Sequence, residues 1–379
     1  MKKSLLALAV LGAFAGAASA QSSVTLFGVV DLNLQYISNG AGWQYTMGQD
    51  GINSSRLGVR GTEDLGGGLT ASFWIEGALN PDTGTATGQT WQRRSTVSLA
   101  GGWGEVRLGR DYTSTFWNST IFDPFGTNGV GSAGNLAFVI PASPSGGAYN
   151  TLVRANNMIG YFLPSGIAGG LYGQVQLAAG ENSAGNKYFG GRLGYASGPF
   201  NVAGSYGRTQ VTIVSTTVGT VTIPGDQNGT QWNFGGSWDF KFMQLSGYYG
   251  RIEIDSAQQD NWFIGAQAPM GVWTFKGSYG QMSRGGSNAA ANANGFNDQG
   301  AWQLAVGATY DLSKRTALYG TYSYLSNSSV SCPTNAAAEC GSALVVGSLQ
   351  QGAGGAPLNN GLNKGASSKG FQFGVRHSF

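Results

Sequence analysis

Apolar and polar positions alternate with period two along almost the whole chain, as in Trp302-Gln303-Leu304-Ala305-Val306-Gly307-Ala308-Thr309-Tyr310, and no segment sustains a 3.6-residue period. Alternation of this kind marks strands with two different faces. The pattern predicts an all-β chain of 16 strands over 23–37, 51–63, 68–80, 91–100, 103–112, 151–163, 168–179, 188–196, 200–211, 229–239, 241–254, 259–268, 271–283, 299–311, 315–327 and 367–379. Connections after even strands are short and carry turn residues, for example Asp64 to Gly67, Gly101-Gly102 and Ser197-Gly198-Pro199. Those after odd strands are mostly long, with 113–150 and 328–366 the longest and 255–258 the short exception. Turns at one end and loops at the other describe an antiparallel up-and-down meander.

The alternation also assigns faces. In the last strand Phe371, Phe373, Val375 and Phe379 share one parity, while Gln372, Gly374, Arg376 and Ser378 share the other. Trp273, Phe275 and Tyr279 oppose Lys276 and Ser278 in the same way, and Val30, Leu32 and Leu34 oppose Asp31, Asn33 and Gln35. Apolar-out, polar-in strands of about 9–11 residues are those of a transmembrane β-barrel, closed because lipid tolerates no unpaired edge. Sixteen strands enclose a lumen too wide for side chains to fill, so water is expected inside. Outward Trp273 and Tyr310 are expected in an interfacial aromatic belt.

Composition supports this picture and removes others. Of 379 residues 64 are Gly, 10 Trp, 16 Tyr and 19 Phe, and charged residues reach only 10%, against about 25% in soluble domains. The longest uninterrupted apolar run, Leu5 to Ala18, covers 14 residues, short of the roughly 20 a spanning helix needs. With Lys2 and Lys3 before it and Ala18-Ser19-Ala20 after it, that run predicts a cleaved export signal over 1–20 and a single barrel domain over 21–379. Removing two lysines leaves 19 basic against 18 acidic residues, a net charge of +1, which predicts no nucleic-acid partner. Cys332 and Cys340 bracket seven residues and are expected to close a small disulfide loop after export. No metal-ligand spacing or phosphate loop is found, and no cofactor is expected.

Four segments carry a family resemblance: Val24-Thr25-Leu26-Phe27-Gly28-Val29-Val30-Asp31, Ser55-Arg56-Leu57-Gly58-Val59-Arg60-Gly61-Thr62-Glu63-Asp64-Leu65-Gly66, Gly104-Glu105-Val106-Arg107-Leu108-Gly109-Arg110-Asp111 and the terminal Phe373-Gly374-Val375-Arg376-His377-Ser378-Phe379. In this order the chain resembles the Gram-negative trimeric general porins, most closely the beta-proteobacterial branch. The resemblance implies an outer-membrane homotrimer in lipid and lipopolysaccharide, passing small hydrophilic solutes and inorganic or organic anions by diffusion. It implies that the loop over about 113–150 folds into the barrel as a constriction. Asp123-Pro124-Phe125-Gly126-Thr127 is similar to the family's loop-tip signature, with Pro124 where the family carries Glu. It further implies a basic wall of Arg56, Arg93 and Arg154 with Glu76 nearby, and a barrel-assembly signal ending at Phe379.

Parity independently turns Arg56 and Arg60 inward, and Arg154 inward together with Asn156; strand 4 alternates poorly around Arg93 and Arg94. Guanidinium stays protonated at physiological pH and its planar donors match carboxylate and phosphate oxygens. The Debye length is about 8 Å at physiological ionic strength, so three such charges are expected to dominate a narrow opening, offset in part by Glu76 and Asp123. The prediction is anion preference without specific capture. Two alternatives remain open here: a substrate-specific channel with a saturable site, and an outer-membrane hydrolase using His377, the only histidine. The outward parity of His377, shared with Val375 and Phe379, argues against the second.

Overall fold

Each run of alternating residues pairs with its neighbours in sequence, and the last strand returns to the first. The computed structural model describes residues 23–39, 42–84, 90–138, 151–181, 186–211, 216–218, 221–223, 227–254, 257–286, 300–328 and 367–379. The predicted export signal and both cysteines lie outside these residues. The barrel strands are β1 (Ser23–Asn39), β3 (Arg56–Gly66), β4 (Leu69–Ala78), β5 (Arg94–Gly101), β6 (Gly104–Tyr112), β7 (Arg154–Phe162), β8 (Leu171–Ala178), β9 (Tyr188–Ser197), β10 (Phe200–Val211), β13 (Gln227–Asp239), β14 (Gln244–Ile254), β15 (Ala257–Met270), β16 (Trp273–Gly286), β17 (Gly300–Asp311), β18 (Thr316–Asn327) and β19 (Ser367–Ser378). All pairings are antiparallel, and β1 closes the cylinder on β19 through Val29 opposite Ser378 to Ser38 opposite Lys369. Sixteen strands in a closed antiparallel barrel is the predicted fold.

The seam departs from the prediction in one respect. A short strand, β2 (Gly42–Gln49), forms a hairpin on β1 inside the segment expected to be loop. Along one edge of β1, residues 23–29 pair with β3 and residues 32–39 with β2. The second barrel strand therefore starts at Arg56 rather than at 51. The cause is Asp31, fully buried, whose Oδ2 accepts the backbone N–H groups of Ile52 and Asn53 at 2.9 and 2.8 Å. Those donors go to a carboxylate instead of a sheet ladder, and the chain turns inward between β2 and β3. A small two-stranded ribbon, β11 (Thr216–Val218) with β12 (Val221–Ile223), stands apart from the barrel sheet.

The predicted faces hold. Leu34, Val97, Ile159, Val175, Leu193, Phe234, Ile264, Val306 and Phe373 are all exposed, a continuous apolar exterior that in water would be an aggregation surface and in a bilayer is the lipid contact. Asn33, Gln174, Gln176, Ser205, Gln231, Ser278, Gln303 and Gln372 are buried on the inner side. Trp273 is exposed, with its ring 4.7 Å from that of Tyr310.

After β6 the chain enters the lumen as a helix, Ser114–Phe122, and a short second turn of helix, Gly134–Ala137. The wall has been shaped to receive it. Asn118 donates to Ala203 O at 3.1 Å and to Asn233 Oδ1 at 2.8 Å, Asn233 Nδ2 returns a bond to Thr115 O, and Ser119 donates to the Tyr248 hydroxyl. Phe122 occupies the space a side chain at Gly235 would fill, since a Cβ there would lie 2.2 Å from its ring. Further along, Gln303, Gln259 and Gln372 hold Ser132 O, Leu136 O and Val130 N. Polar residues that alternation assigned to a wet lumen thus serve, from β10 to β19, as the seat of the infolded loop.

Candidate constriction and its basic wall

Glu76 sits near the loop end of β4, with Gly58 of β3 on one side and Arg94 of β5 on the other. Its Oε1 accepts Arg93 Nε at 2.7 Å and lies 3.9 Å from Arg56 Nε, while its Oε2 accepts the indole N–H of Trp74 at 3.2 Å. Arg93 immediately precedes β5 and is largely buried; its backbone N–H also bonds Glu76 O. Arg154 opens β7 and donates through Nε to Arg93 O at 2.8 Å. The two arginines meet at one phenol: Arg93 Nη2 and Arg154 Nη2 lie 3.1 and 2.9 Å from Tyr112 Oη, and the Arg154 guanidinium lies over the Tyr112 ring at 4.4 Å. Tyr112 in turn stacks on Phe116 of the loop helix and meets Trp117 edge-on. Arg56, Glu76, Arg93 and Arg154 therefore form one connected wall, joined to the root of the loop through Tyr112.

Tyr112 was not singled out from sequence. A signal existed, since it is the last residue of the strand that launches the long loop and lies four residues before Phe116. A neighbouring cluster was missed too: Arg107 bonds Glu105 at 2.9 Å and Asp111 at 2.5 Å, and Arg94 lies 3.7 Å from Asp111. Two arginines facing two carboxylates leave that cluster balanced.

Three expectations need correction. Asp123 is not an acidic group on the opening. It is buried, and its carboxylate accepts the backbone N–H groups of Phe125, Thr127 and Ala133 at 3.0, 2.9 and 3.0 Å, so it organises the loop tip. Arg60 faces inward but stands four residues further along β3 than Arg56, over the rings of Phe27 and Trp74 at 5.4 and 5.1 Å, outside the Glu76 cluster. The alternation read through Arg154 and Asn156 fails as well. Asn157 adopts φ 52° and the β6–β7 register slips between Gly109 and Asp111, so the exposed Asn156 bonds Arg110 while Arg154 joins the wall.

At the tip, Pro124 packs against Gly265, and Phe125 is buried with the Lys276 ammonium 6.0 Å from its ring centre. Phe379 ends the chain at the seam, exchanging backbone hydrogen bonds with Gly28 at 3.0 and 3.1 Å. His377 Nδ1 lies 2.9 Å from Thr316 Oγ1. Behind Arg93, between β2 and β3, burial pushes the Asp50 carboxyl up to about 6, against a hydrogen bond from Ser55 N–H.

Within the described cluster three guanidiniums surround one carboxylate, a balance of +2. Such an arrangement lowers the energy of a nearby anion and raises that of a nearby cation. Among the described residues there is no group of three or more His, Cys, Asp or Glu able to hold a metal ion.

Comparison with known proteins shows the family. The family described as Gram-negative porin matches residues 7–329. The chain is 37% identical to outer membrane porin protein 32 of Delftia acidovorans over 392 aligned positions covering 100% of both chains. It is 32% identical to an outer membrane porin protein of Bordetella pertussis, over 86% of this chain and 95% of the relative. Among solved structures, the anion-selective porin from Comamonas acidovorans superposes with a TM-score of 0.75 at 33% identity, covering 95% of this chain and 100% of the other.

Proposed function

Because this chain belongs to the Gram-negative porin family, outer-membrane channels built on such a barrel, we propose that its opening favours anions through Arg56, Arg93 and Arg154. The observation that carries this reading is the uneven count at Glu76, three guanidiniums to one carboxylate, with Asp123 withdrawn into the loop. In this reading the loop narrows the lumen opposite the arginine wall, and small hydrophilic solutes diffuse through without capture or chemistry. Permanent guanidinium charge keeps the arginine contribution to the field constant over physiological pH. The chain acts as a pore and not as an enzyme, assembles as a homotrimer among lipid and lipopolysaccharide, and loses residues 1–20 on export. Exposed Trp43, Tyr45 and Met47 on β2 support an apolar neighbour at the seam. Phe379 closes that seam and in this reading also marks the strand for barrel assembly.

The test is the reversal potential of the reconstituted channel in a KCl gradient. The native channel is expected to prefer chloride, and Arg154→Ala to lower the anion-to-cation permeability ratio by about twofold, since a unit charge ~8 Å from a permeating ion in water is worth ~0.5 kcal/mol, screened to ~0.2 kcal/mol at a Debye length of ~8 Å and of opposite sign for anion and cation. Cation preference in the native channel would refute the assignment.

A further inference from the structure

We propose that Arg60, with Phe27 and Trp74, forms a second anion station beyond the constriction that retains aromatic carboxylates in preference to chloride; this rests on the anion-channel reading above. The residues come together through register. Arg60 lies opposite Trp74 on β4 and Thr25 on β1, and Phe27 lies opposite Gly58, so all share the inner face with Arg56 and Glu76. Four residues of strand place Arg60 about 13 Å from Arg56 along β3, on the side of the tight turn to β4.

Two aromatic rings set the geometry there. Phe27 meets Trp74 edge to face with centroids 4.9 Å apart, and both rings are partly open to the lumen. The Arg60 guanidinium stands 5.4 and 5.1 Å from their centroids, and Arg94 stands 4.5 Å from the Trp74 ring. Trp74 is itself held by its indole bond to Glu76. Arg60 therefore differs from its neighbours. Arg56 and Arg93 meet Glu76, and Arg94 and Arg107 meet Asp111, whereas among the described residues no carboxylate is paired with Arg60. It is exposed to the lumen.

A guanidinium resting on aromatic faces is restrained by attraction to the rings yet keeps its N–H groups available at its edge. Planar donors of that kind fit the two oxygens of a carboxylate and have no comparable match to a spherical chloride. The parts of these rings that the guanidiniums leave open supply an apolar border for the ring of the solute. Carboxylate on Arg60 and solute ring beside Phe27 and Trp74 is the arrangement the wall offers.

The experiment measures single-channel conductance against concentration in potassium benzoate and in potassium chloride, with benzoate as the probe. In the native channel conductance should saturate at lower concentration in benzoate. Arg60→Lys, which keeps charge and loses the planar fork, should raise the benzoate half-saturation concentration about two- to fivefold relative to that of chloride, the range of an exposed ion pair. Phe27→Leu, which keeps the arginine and loses a ring, should act in the same direction on benzoate and not on acetate. Equal shifts for benzoate and chloride, or no shift, would overturn the station while leaving the constriction reading intact. A native channel that prefers cations in the KCl gradient would remove the constriction reading, and the station with it.

Discussion

Glu76 shows how one side chain can set both structure and field. Its two oxygens hold Arg93 and the Trp74 indole, with Arg56 at 3.9 Å, so it orders the arginines while cancelling one of their charges. Replacing it by Gln keeps an acceptor for Arg93 and removes the carboxylate that Arg56 and Arg93 meet. Glu76→Gln is therefore expected to raise the anion-to-cation permeability ratio in KCl, by up to about twofold on the same Coulomb estimate. A fall in that ratio would mean that the carboxylate acts mainly by positioning the guanidiniums. The inward facing of Arg56 was legible from parity alone. The partnership of Arg93 with Glu76 was not, because Arg93 precedes its strand, where alternation has no meaning.

At the scale of the element, the infolded loop depends on Asp123. Its carboxylate takes three backbone N–H groups from Phe125, Thr127 and Ala133, the number a turn of this tightness would otherwise leave unmet. Asp123→Asn keeps one acceptor oxygen and turns the other into a donor facing N–H groups. Loss of a buried charged hydrogen bond costs about 1.5–3 kcal/mol, so the tip should loosen and open-channel current noise should rise. The reversal potential in KCl should stay where it is, because the group does not face the opening. A clear increase in anion preference would restore Asp123 as a pore charge. Sequence identified this loop by its length and its tip residues, yet could not distinguish a carboxylate facing water from one buried in its own turn, since both are a single Asp in a polar segment.

Across the whole molecule, closure brings the first and last barrel strands together. Gly28 and Phe379 exchange backbone bonds, and the Phe379 ring fills the space beside Gly28, where a Cβ would lie 2.3 Å from it. Gly28→Val is expected to expel the terminal ring at an overpacking cost of about 1–3 kcal/mol, visible as a lower temperature for the heat-induced mobility shift of the folded barrel on gels. An unchanged transition would show that the ring contributes nothing to closure. The same large scale explains why the polar inner faces of β10 to β19 serve two ends. Where the loop lies against them they bond it through Asn233, Gln259, Gln303 and Gln372, and on the arginine side the inner wall is left to the solute.

The sequence by itself determined the class, the strand count, which face of most strands meets lipid and, through four matching segments, the family. The first three follow from period-two alternation and turn chemistry, which act between residues close along the chain. Only the tertiary structure decided the balance of charge around Glu76. Pairing Glu76 with Arg93 across 17 residues, joining Arg154 to Arg93 across 61 and turning Asp123 inward depend on barrel closure and loop insertion, through a register slip at Gly109 and a left-handed Asn157 that break the alternation locally. An electrostatic field depends on distances through space, and those exist only once the cylinder has closed.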